Sequence, residues 1–327
     1  MNTLPPELHS LIFEFACTDD GYTARSLSLV SHYTRDASKA FLYQCLSVSG
    51  LEQLLTITEK LEEAPHRLRR VRHLFLSDWT ASQTKMRLVH VNNEDMDRYE
   101  AEKSAIIHLL NLSASTLESL TIIISCPYNG AQIIGHLFSL SFPRLTDLSI
   151  HGFYPFPHSP NSFPRLERLH LSGNRNPHGL LQTGGLASSC PSLTQLKISG
   201  IVSASTFAEE LDRTITSIRP ITERQSSNNH YVDNDTTSVQ QNQTISPSLR
   251  HILIEQGQEP SSERRYLWAR RSHEKMLERL SQLERCLSDD SFPIKLSLNN
   301  RASISSIGEF EVMRSGWLDG INGTPFT

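Results

Sequence analysis

The chain lacks the short motifs that accompany most catalytic and nucleotide-binding sites. Its 327 residues contain no GxSxG elbow, no GxxxxGK(S/T) phosphate loop, no GxGxxG turn and no HExxH metal motif. The five cysteines form no CxxC pair and the histidines are scattered singly, so the sequence shows no zinc-type ligand set. These absences predict a protein that is not an enzyme and that needs no metal or other cofactor.

The chain also lacks a strong charge bias and a long apolar run. Its net charge is −4, so nothing in the composition requires nucleic acid or an anionic membrane as a partner. No apolar run approaches the ~20 residues of a membrane span, and no basic segment followed by an apolar stretch marks a secretory signal. The dispersed cysteines are typical of reduced thiols, which favours a cytoplasmic or nuclear protein.

The sequence near the N-terminus predicts two short amphipathic helices. The second is expected to begin near Thr23 and to run to about Phe41, after a polar break at residues 18–24. The apolar stripe of the first helix consists of Leu4, Leu8, Leu11, Ile12 and Phe15. Two helices of this size cannot bury much surface against each other, so we expect a module that binds a partner protein or the rest of the chain.

The order of residues in this module resembles an F-box, in the form common among fungal F-box-like proteins. The match rests on a Leu-Pro-x-Glu-Leu opening, an Ile-Phe pair and a downstream Leu-x-Leu-Val-Ser-x-aromatic-x-Arg, where Tyr33 replaces a frequent Trp. The resemblance implies an F-box domain over residues 1–48 that docks on a Skp-type adaptor and through it on a cullin. The implied adaptor-binding residues are Leu4, Pro5, Glu7, Leu8, Ile12, Phe13, Leu27, Leu29, Val30 and Tyr33. A plain helical hairpin is the alternative.

One phrase, apolar-x-x-apolar-x-apolar, recurs through the rest of the chain. Three copies share a longer form that is headed by Pro and closed by Gly: FPRLTDLSIHG, FPRLERLHLSG and CPSLTQLKISG. Pro ends the preceding segment and Gly releases the strand into a turn. The copies begin at Val71, Leu117, Leu145, Leu166, Leu193, Leu249 and, less completely, Pro293.

This pattern resembles irregular leucine-rich repeats, whose period is about 20–29 residues. The resemblance implies an α/β protein in which the F-box helices are followed by a leucine-rich-repeat solenoid with parallel strands, over residues 49–327. Helical patterns between the strands, such as AEKSAIIHLLNLSA from Ala101, are expected on the convex side. An ordinary mixed domain with chance LxxLxL strands is the alternative.

The residues between the apolar positions of each strand are expected to share the concave face. They mix acid, base, imidazole and hydroxyl groups, which suits the surface of a polar protein or peptide. The predicted target-binding residues are Asp147, Ser149, His151, Arg168, His170, Gln195 and Lys197, with Ser172 and Ser199 in the same register.

Two further segments stand out between and after the repeats. Residues 219–247 are rich in Asn, Gln, Ser, Thr and Asp, which predicts a disordered insertion, either merely tolerated or regulated by phosphorylation. Residues 261–287 predict a long helix with alternating steps of three and four, used on the convex side or, alternatively, for dimerisation. Its apolar positions are Tyr266, Ala269, His273, Met276, Leu280, Leu283 and Leu287.

Together these features predict the substrate-receptor subunit of a Skp–cullin–F-box type ubiquitin ligase. The N-terminal module would bind the adaptor and the repeats would bind an unknown target protein, with no contribution from nucleic acid or membrane. The alternative is an F-box-like interaction scaffold without ligase coupling.

Overall fold

Eight parallel strands form one sheet, in which the spatial order is the sequence order. The structure, a computed structural model, describes residues 4–78, 93–126, 128–157, 159–181, 185–218, 245–261, 263–288, 292–300 and 306–321. The strands are β1 Cys45–Ser49, β2 His73–Ser77, β3 Ser119–Ile123, β4 Asp147–His151, β5 Arg168–Ser172, β6 Gln195–Ile201, β7 His251–Gln256 and β8 Lys295–Asn300.

Ten α-helices lie among the described residues. They are α1 Pro6–Ala16, α2 Tyr22–Val30, α3 His32–Ser38, α4 Leu51–Glu63, α5 Asn93–Ser113, α6 Gly130–Ser139, α7 Gly185–Ser189, α8 Ser205–Ile218, α9 Leu267–Leu287 and α10 Ser306–Ile321. The first three form the N-terminal module, and α4 to α9 lie between successive strands of an α/β fold. No helix lies between β4 and β5 among the described residues.

The recurring sequence phrase predicts seven of the eight strands. Each copy contributes its second half to one of the strands β2 to β8. The first strand, β1, has a weaker copy in which Tyr43 takes the leading apolar position. Because β1 pairs with β2 from Cys45 onward, the boundary expected at residue 48 falls inside the sheet and the helical module ends before Cys45.

The two faces of the sheet differ in what covers them. One face, hereafter the covered face, carries the alternate apolar residues of every strand and packs on α4 to α9. From β3 to β6 these residues are Leu120, Ile122, Leu148, Ile150, Leu169, Leu171, Leu196 and Ile198. The other face, hereafter the open face, carries the intervening residues, as the alternation of the predicted strands requires.

The same backbone connection joins each unit to the next. The carbonyl oxygen of Glu118, just before β3, accepts hydrogen bonds from Thr146 N at 2.8 Å and Asp147 N at 3.2 Å. The carbonyl oxygen of Thr146 accepts in the same way from Glu167 N and Arg168 N. Equivalent paired bonds are made by the carbonyl oxygens of Gln44, Arg72, Glu167 and Thr194. The sequence repeat therefore corresponds to a repeat in backbone geometry.

Glycine is required where the strands of successive units end and the turns stack closely. Gly152 and Gly173 follow β4 and β5, with φ of 149° and 124°. A Cβ atom on Gly173 would stand far inside van der Waals contact with the carbonyl oxygen of Gly152. The prediction that Gly closes the strand is confirmed for these two copies, where the tight stacking explains why no larger residue fits. In the third copy Gly200 lies inside β6, so Gly does not close that strand.

The prediction of one continuous second helix in the N-terminal module is wrong, because Ser31 interrupts it and separates α2 from α3. Ser31 is extended, with φ −162° and ψ 166°, and its Oγ accepts from Thr34 N at 3.1 Å as the N-cap of α3. Thr23 does not cap α2 either. Asp19 accepts hydrogen bonds from both Thr23 N and Thr23 Oγ1, at 2.9 and 2.6 Å.

Of the two C-terminal helices, the sequence predicts α9 but not α10. The long helix expected from residue 261 begins only at Leu267, after a 3-10 turn at Arg264–Tyr266. It packs on α8 and β8 on the covered face, and its buried residues are His273, Met276, Leu280, Leu283 and Leu287. The following helix, α10, is not predicted, although Phe310, Met313, Trp317 and Ile321 have helical spacing. Most of the predicted disordered insertion, residues 219–244, lies outside the described residues.

Candidate protein-binding surfaces

The N-terminal module exposes a dense set of large apolar side chains. Their exposed fractions run from 45% for Leu8 to 80% for Leu29. The set, hereafter the N-terminal apolar surface, consists of Leu4, Leu8, Leu11, Ile12, Phe15, Tyr22, Leu29, Val30 and Tyr33. Exposed apolar side chains concentrated on one small module are typical of interaction sites.

The structure places the residues predicted to bind an adaptor in three environments. Pro5 and Glu7 are exposed at the start of α1, and Leu27 is half-buried. Phe13 is buried, at 7% exposure, and therefore supports the module from inside. The others lie on the N-terminal apolar surface: Leu4, Leu8, Ile12, Leu29, Val30 and Tyr33. That surface also includes Tyr22, which the sequence resemblance did not single out.

A buried histidine fixes how α1 and α3 present this surface. The ring of His9 is 5% exposed, lies 6.1 Å from the ring of Phe13 and stacks on it. Its Nδ1 lies 2.8 Å from the hydroxyl of Tyr33, and the two rings meet edge to face. Tyr33 therefore contributes an exposed ring edge and an anchored hydroxyl.

Polar contacts join the N-terminal module to the edge of the sheet. The guanidinium of Arg72 binds the carboxylate of Glu118 through two nitrogens, at 2.9 and 2.8 Å, and also contacts Glu14 of α1. The side chain of Gln44 donates to the carbonyl oxygen of Glu14 at 2.9 Å. These contacts hold the N-terminal apolar surface at a defined place relative to the strands.

The predicted target-binding residues all lie on the open face, in one register across β4, β5 and β6. One row places Asp147 beside Arg168 and Gln195. The next rows place Ser149 beside His170 and Lys197, and His151 beside Ser172 and Ser199. The structure thus brings these residues together as neighbours on adjacent strands.

Charge pairs on the open face involve residues that the sequence prediction did not couple. Arg168 forms an ion pair with Asp147 on the neighbouring strand. Lys197 pairs with Glu255 of β7, with Nζ and Oε1 2.8 Å apart. Glu255 was missed, although the copy that begins at Leu249 assigns it to the same face. The acids and bases of this face therefore already compensate one another.

A hydrogen-bonded chain crosses three strands of the open face. The hydroxyl of Ser199 donates to Glu255 Oε2 at 2.7 Å and lies 2.7 Å from His170 Nε2. The ring of His170 meets the ring of His151 edge to face, with centroids 4.9 Å apart. Since Ser199 is only 2% exposed and stands between the acid and the imidazole, it is not arranged as a nucleophile activated by histidine.

His73 lies on the open face of β2 and bonds to the hydroxyl of Ser119, 3.0 Å from its Nδ1. Burial and the neighbouring Arg72 charge lower the pKa of His73 from 6.5 to about 4, against weaker opposing effects of Glu118 and Asp147. This imidazole is therefore neutral at physiological pH.

Helix α10 covers the open face above β1, β2 and β3. The side chains beneath it are Cys45, Phe75 and Ile123, which are apolar where the rest of the open face is mostly polar. The ring of Phe75 lies 5.5 Å from that of Phe310 and 5.6 Å from that of Trp317. This small cluster is separate from the main core, and the expected target-binding face is thus shortened at one end.

An ion pair links α10 to the N-terminal module, between Arg314 and Asp20 in the α1–α2 loop. Other features oppose the docking of this helix. It contains Gly308, Gly316 and Gly320, and Gly316 in the helix interior costs about 1 kcal/mol relative to Ala. Among the described residues no acceptor bonds Arg314 Nε or Trp317 Nε1, although both are buried, and each such donor costs about 1–3 kcal/mol.

The buried thiols are poor nucleophiles. Burial raises the pKa of Cys17 to about 11, with a smaller effect of Asp19, and burial raises the pKa of Cys190 to about 12. Thiols with such pKa values carry little thiolate at neutral pH. Within the described ranges, no cluster of three or more His, Cys, Asp or Glu side chains is arranged to hold a metal ion.

No protein-family model matches this chain, and no curated protein matches its sequence. None of the helices in the described part of the chain has both the length and the apolar composition that crossing a bilayer requires.

Proposed function

We propose that this protein is the substrate receptor of a Skp–cullin–F-box type ubiquitin ligase. The N-terminal module would act as an F-box, and the sheet with its helices as a leucine-rich-repeat solenoid. The observation that carries the proposal is the N-terminal apolar surface. It exposes, on a small helical module, most of the residues that match the F-box pattern.

The regular units support the assignment of leucine-rich repeats. The copy with Leu166, Leu169 and Leu171 continues to Asn174, which is the position of Asn in the leucine-rich-repeat pattern L-x-x-L-x-L-x-x-N. Asn174 Nδ2 donates to the carbonyl oxygen of Tyr154 at 2.9 Å, so it ties this unit to the preceding one. Strand order and the repeated paired backbone bonds agree with units that contact only their neighbours.

The mechanism that we propose is proximity. The N-terminal apolar surface would bind a Skp-type adaptor, and through it a cullin, in the cytoplasm or the nucleus. The open face of β4 to β8 would hold the target protein. Holding ligase and target together raises the effective concentration of target lysines near the charged ubiquitin-carrying enzyme. No side chain of this chain then needs to make or break a covalent bond.

A scaffold without ligase coupling is the second candidate. The observation that favours it is Tyr33. This residue replaces the frequent Trp, and its hydroxyl forms a hydrogen bond with His9 within the module. Co-purification of the unchanged chain with a Skp-type adaptor separates the two functions. Capture of target without adaptor would support the scaffold.

The test of adaptor binding is the double substitution Leu8→Asp with Ile12→Asp. Both side chains are about half exposed, so the new carboxylates stay in water and the chain should remain folded. In a complex each would become a buried charge, so we expect adaptor binding to fall at least 100-fold. The matched control is Leu55→Asp, which places the same charge on α4 at 51% exposure. Normal adaptor binding by the double variant would refute the F-box assignment.

A further inference from the structure

Helix α10 occupies a surface that differs from the rest of the open face. Beneath it lie Cys45, Phe75 and Ile123, which are 1%, 0% and 3% exposed with the helix in place. Polar residues predominate in the same rows from β4 to β8. Each of the first three strands therefore contributes one apolar residue to a small floor around the ring of Phe75, and α10 packs on this floor. Ser47 and Thr121 flank Phe75 in the same row.

The side chains that α10 places against this floor form a regular pattern. Phe310 and Trp317 stand seven positions apart, or two helical turns, so both rings point to the same side and both contact Phe75. Met313 lies between them and packs on the same cluster. Arg314 adds a charge that meets Asp20 of the N-terminal module. The pattern that α10 presents is a helix with two aromatic residues at positions i and i+7 and a cation at i+4.

Several features of α10 weaken its contact with the sheet. Helix α10 contains three glycines and two buried donors that lack an acceptor among the described residues, whereas α9 contains no glycine and buries a continuous apolar stripe. His273, the buried polar residue of α9, accepts a hydrogen bond from Ser203 N at 3.2 Å. An element with few apolar contacts and unsatisfied donors opens locally before the core does.

We propose that α10 is a reversible occupant of an aromatic-binding site on the open face above β1 to β3, and that the site receives a helix of this pattern from a partner protein. The intramolecular helix holds the site closed by its high effective concentration, and a partner helix that pairs better displaces it. This inference does not depend on ligase coupling.

The experiment uses the full chain with Phe310→Ala and Trp317→Ala, hereafter the undocked variant. The probe is a fluorescent peptide with the wild-type sequence of residues 306–321. We expect the peptide to bind the undocked variant at least 10-fold more tightly than the unchanged chain, whose own helix fills the site. A peptide with both aromatic residues replaced by Ala should bind neither chain. The matched control chain carries Val312→Ala, at a position on α10 that is 54% exposed, and should behave as the unchanged chain.

A charge exchange tests the place of binding. Asp20→Arg in the undocked variant should weaken peptide binding about 2- to 5-fold, the range for a partly exposed ion pair. A peptide with Arg314→Glu should restore the affinity. Rescue of this kind is not expected if the peptide adheres elsewhere through its aromatic rings.

Hydrogen exchange in the unchanged chain tests the opening itself. Amides of α10 should exchange at least 10-fold faster than those of α9. Gly316→Ala with Gly320→Ala should slow the exchange of α10, because a Cβ at either position meets no atom within 4 Å. Absence of saturable binding to a folded undocked variant overturns the proposal. If that variant does not fold, exchange decides: protection of α10 equal to that of α9 makes the helix a permanent part of the fold, and faster exchange supports the proposal.

Discussion

The hydroxyl of Tyr33 and Nδ1 of His9 lie 2.8 Å apart and join α3 to α1 beneath the N-terminal apolar surface. We expect Tyr33→Phe to lower the free energy of unfolding by about 1–2 kcal/mol, because it leaves a polar atom of the buried His9 ring without its partner. Urea denaturation measures this change. Tyr22→Phe is the matched control, since Tyr22 is 69% exposed on α2, and it should leave stability unchanged. Equal effects of both substitutions would show that the hydrogen bond contributes nothing.

Charge pairing on the open face changes how a target-binding test must be designed. Reversing the charges of Asp147, Arg168 and Lys197 alone would keep an ion pair between residues 147 and 168, with the signs exchanged. It would also place a new carboxylate at residue 197 beside the carboxylate of Glu255. The better variant exchanges both pairs, with Asp147→Arg, Arg168→Asp, Lys197→Glu and Glu255→Lys.

We expect this fourfold variant to stay within about 1 kcal/mol of the unchanged chain in stability, because each exchanged pair keeps its attraction. Adaptor binding should be unchanged, since no substitution lies on the N-terminal module. Capture of the target should be lost, because both charge pairs of the open face then present exchanged signs to it. Affinity capture followed by mass spectrometry compares the two chains. Retention of the same captured proteins would place the target site outside the open face.

Glycine substitutions should have opposite effects at two places in the fold. Gly173→Ala is expected to lower the free energy of unfolding by roughly 2–4 kcal/mol, since it combines a positive φ with a collision against the Gly152 carbonyl oxygen. Gly316→Ala should instead raise stability by up to about 1 kcal/mol in a helix interior.

A third glycine separates the two causes at Gly173. Gly200 has φ 80°, but a Cβ there would meet no atom within 4 Å, so Gly200→Ala tests backbone strain without a collision. We expect a loss of about 1–2 kcal/mol, smaller than at Gly173. Thermal unfolding of the three variants checks the order. An equal loss at Gly173 and Gly200 would mean that the close stacking of turns is unimportant.

Acid should destabilise the protein through His73. Its pKa is about 4 in the folded chain against 6.5 for an ordinary histidine, so between these values the unfolded chain binds more protons. The contribution of neutral His73 to the free energy of unfolding is therefore fully present above about pH 6.5. It is lost as the pH falls toward 4, and the loss is at most roughly 3 kcal/mol.

His73→Gln removes this titration, so its stability should depend less on pH across that range. His66→Gln, at an exposed histidine in the 3-10 turn His66–Leu68, is the control and should leave the pH dependence unchanged. Denaturant unfolding at several pH values measures both. An undiminished pH dependence in His73→Gln would assign the acid sensitivity to other groups, of which His273 is one, since burial lowers its pKa too.

The strands and their faces could be predicted because each carries a period of two, and Leu148 and Ile150 fix the side on which Asp147 and Ser149 must lie. The pairing of Lys197 with Glu255 could not, because it depends on which copy follows β6 across a long insertion. The split at Ser31 was hidden by apolar residues that continue the helical pattern on both sides of it. The apolar residues of α10 have helical spacing, but its three glycines disfavour a helix, and its contact with Phe75 is a tertiary contact that a local pattern does not contain.

The ion pair between Arg314 and Asp20 spans 294 positions of sequence, whereas every strand pairs only with its neighbours in the chain. Units that need only their neighbours are able to order one after another while the ribosome is still making the chain. The floor around Phe75 is the exception, because α10, which covers it, is synthesised long after β1 to β3. During translation this apolar strip has no intramolecular cover, and a chaperone or an early partner would meet it before α10 does.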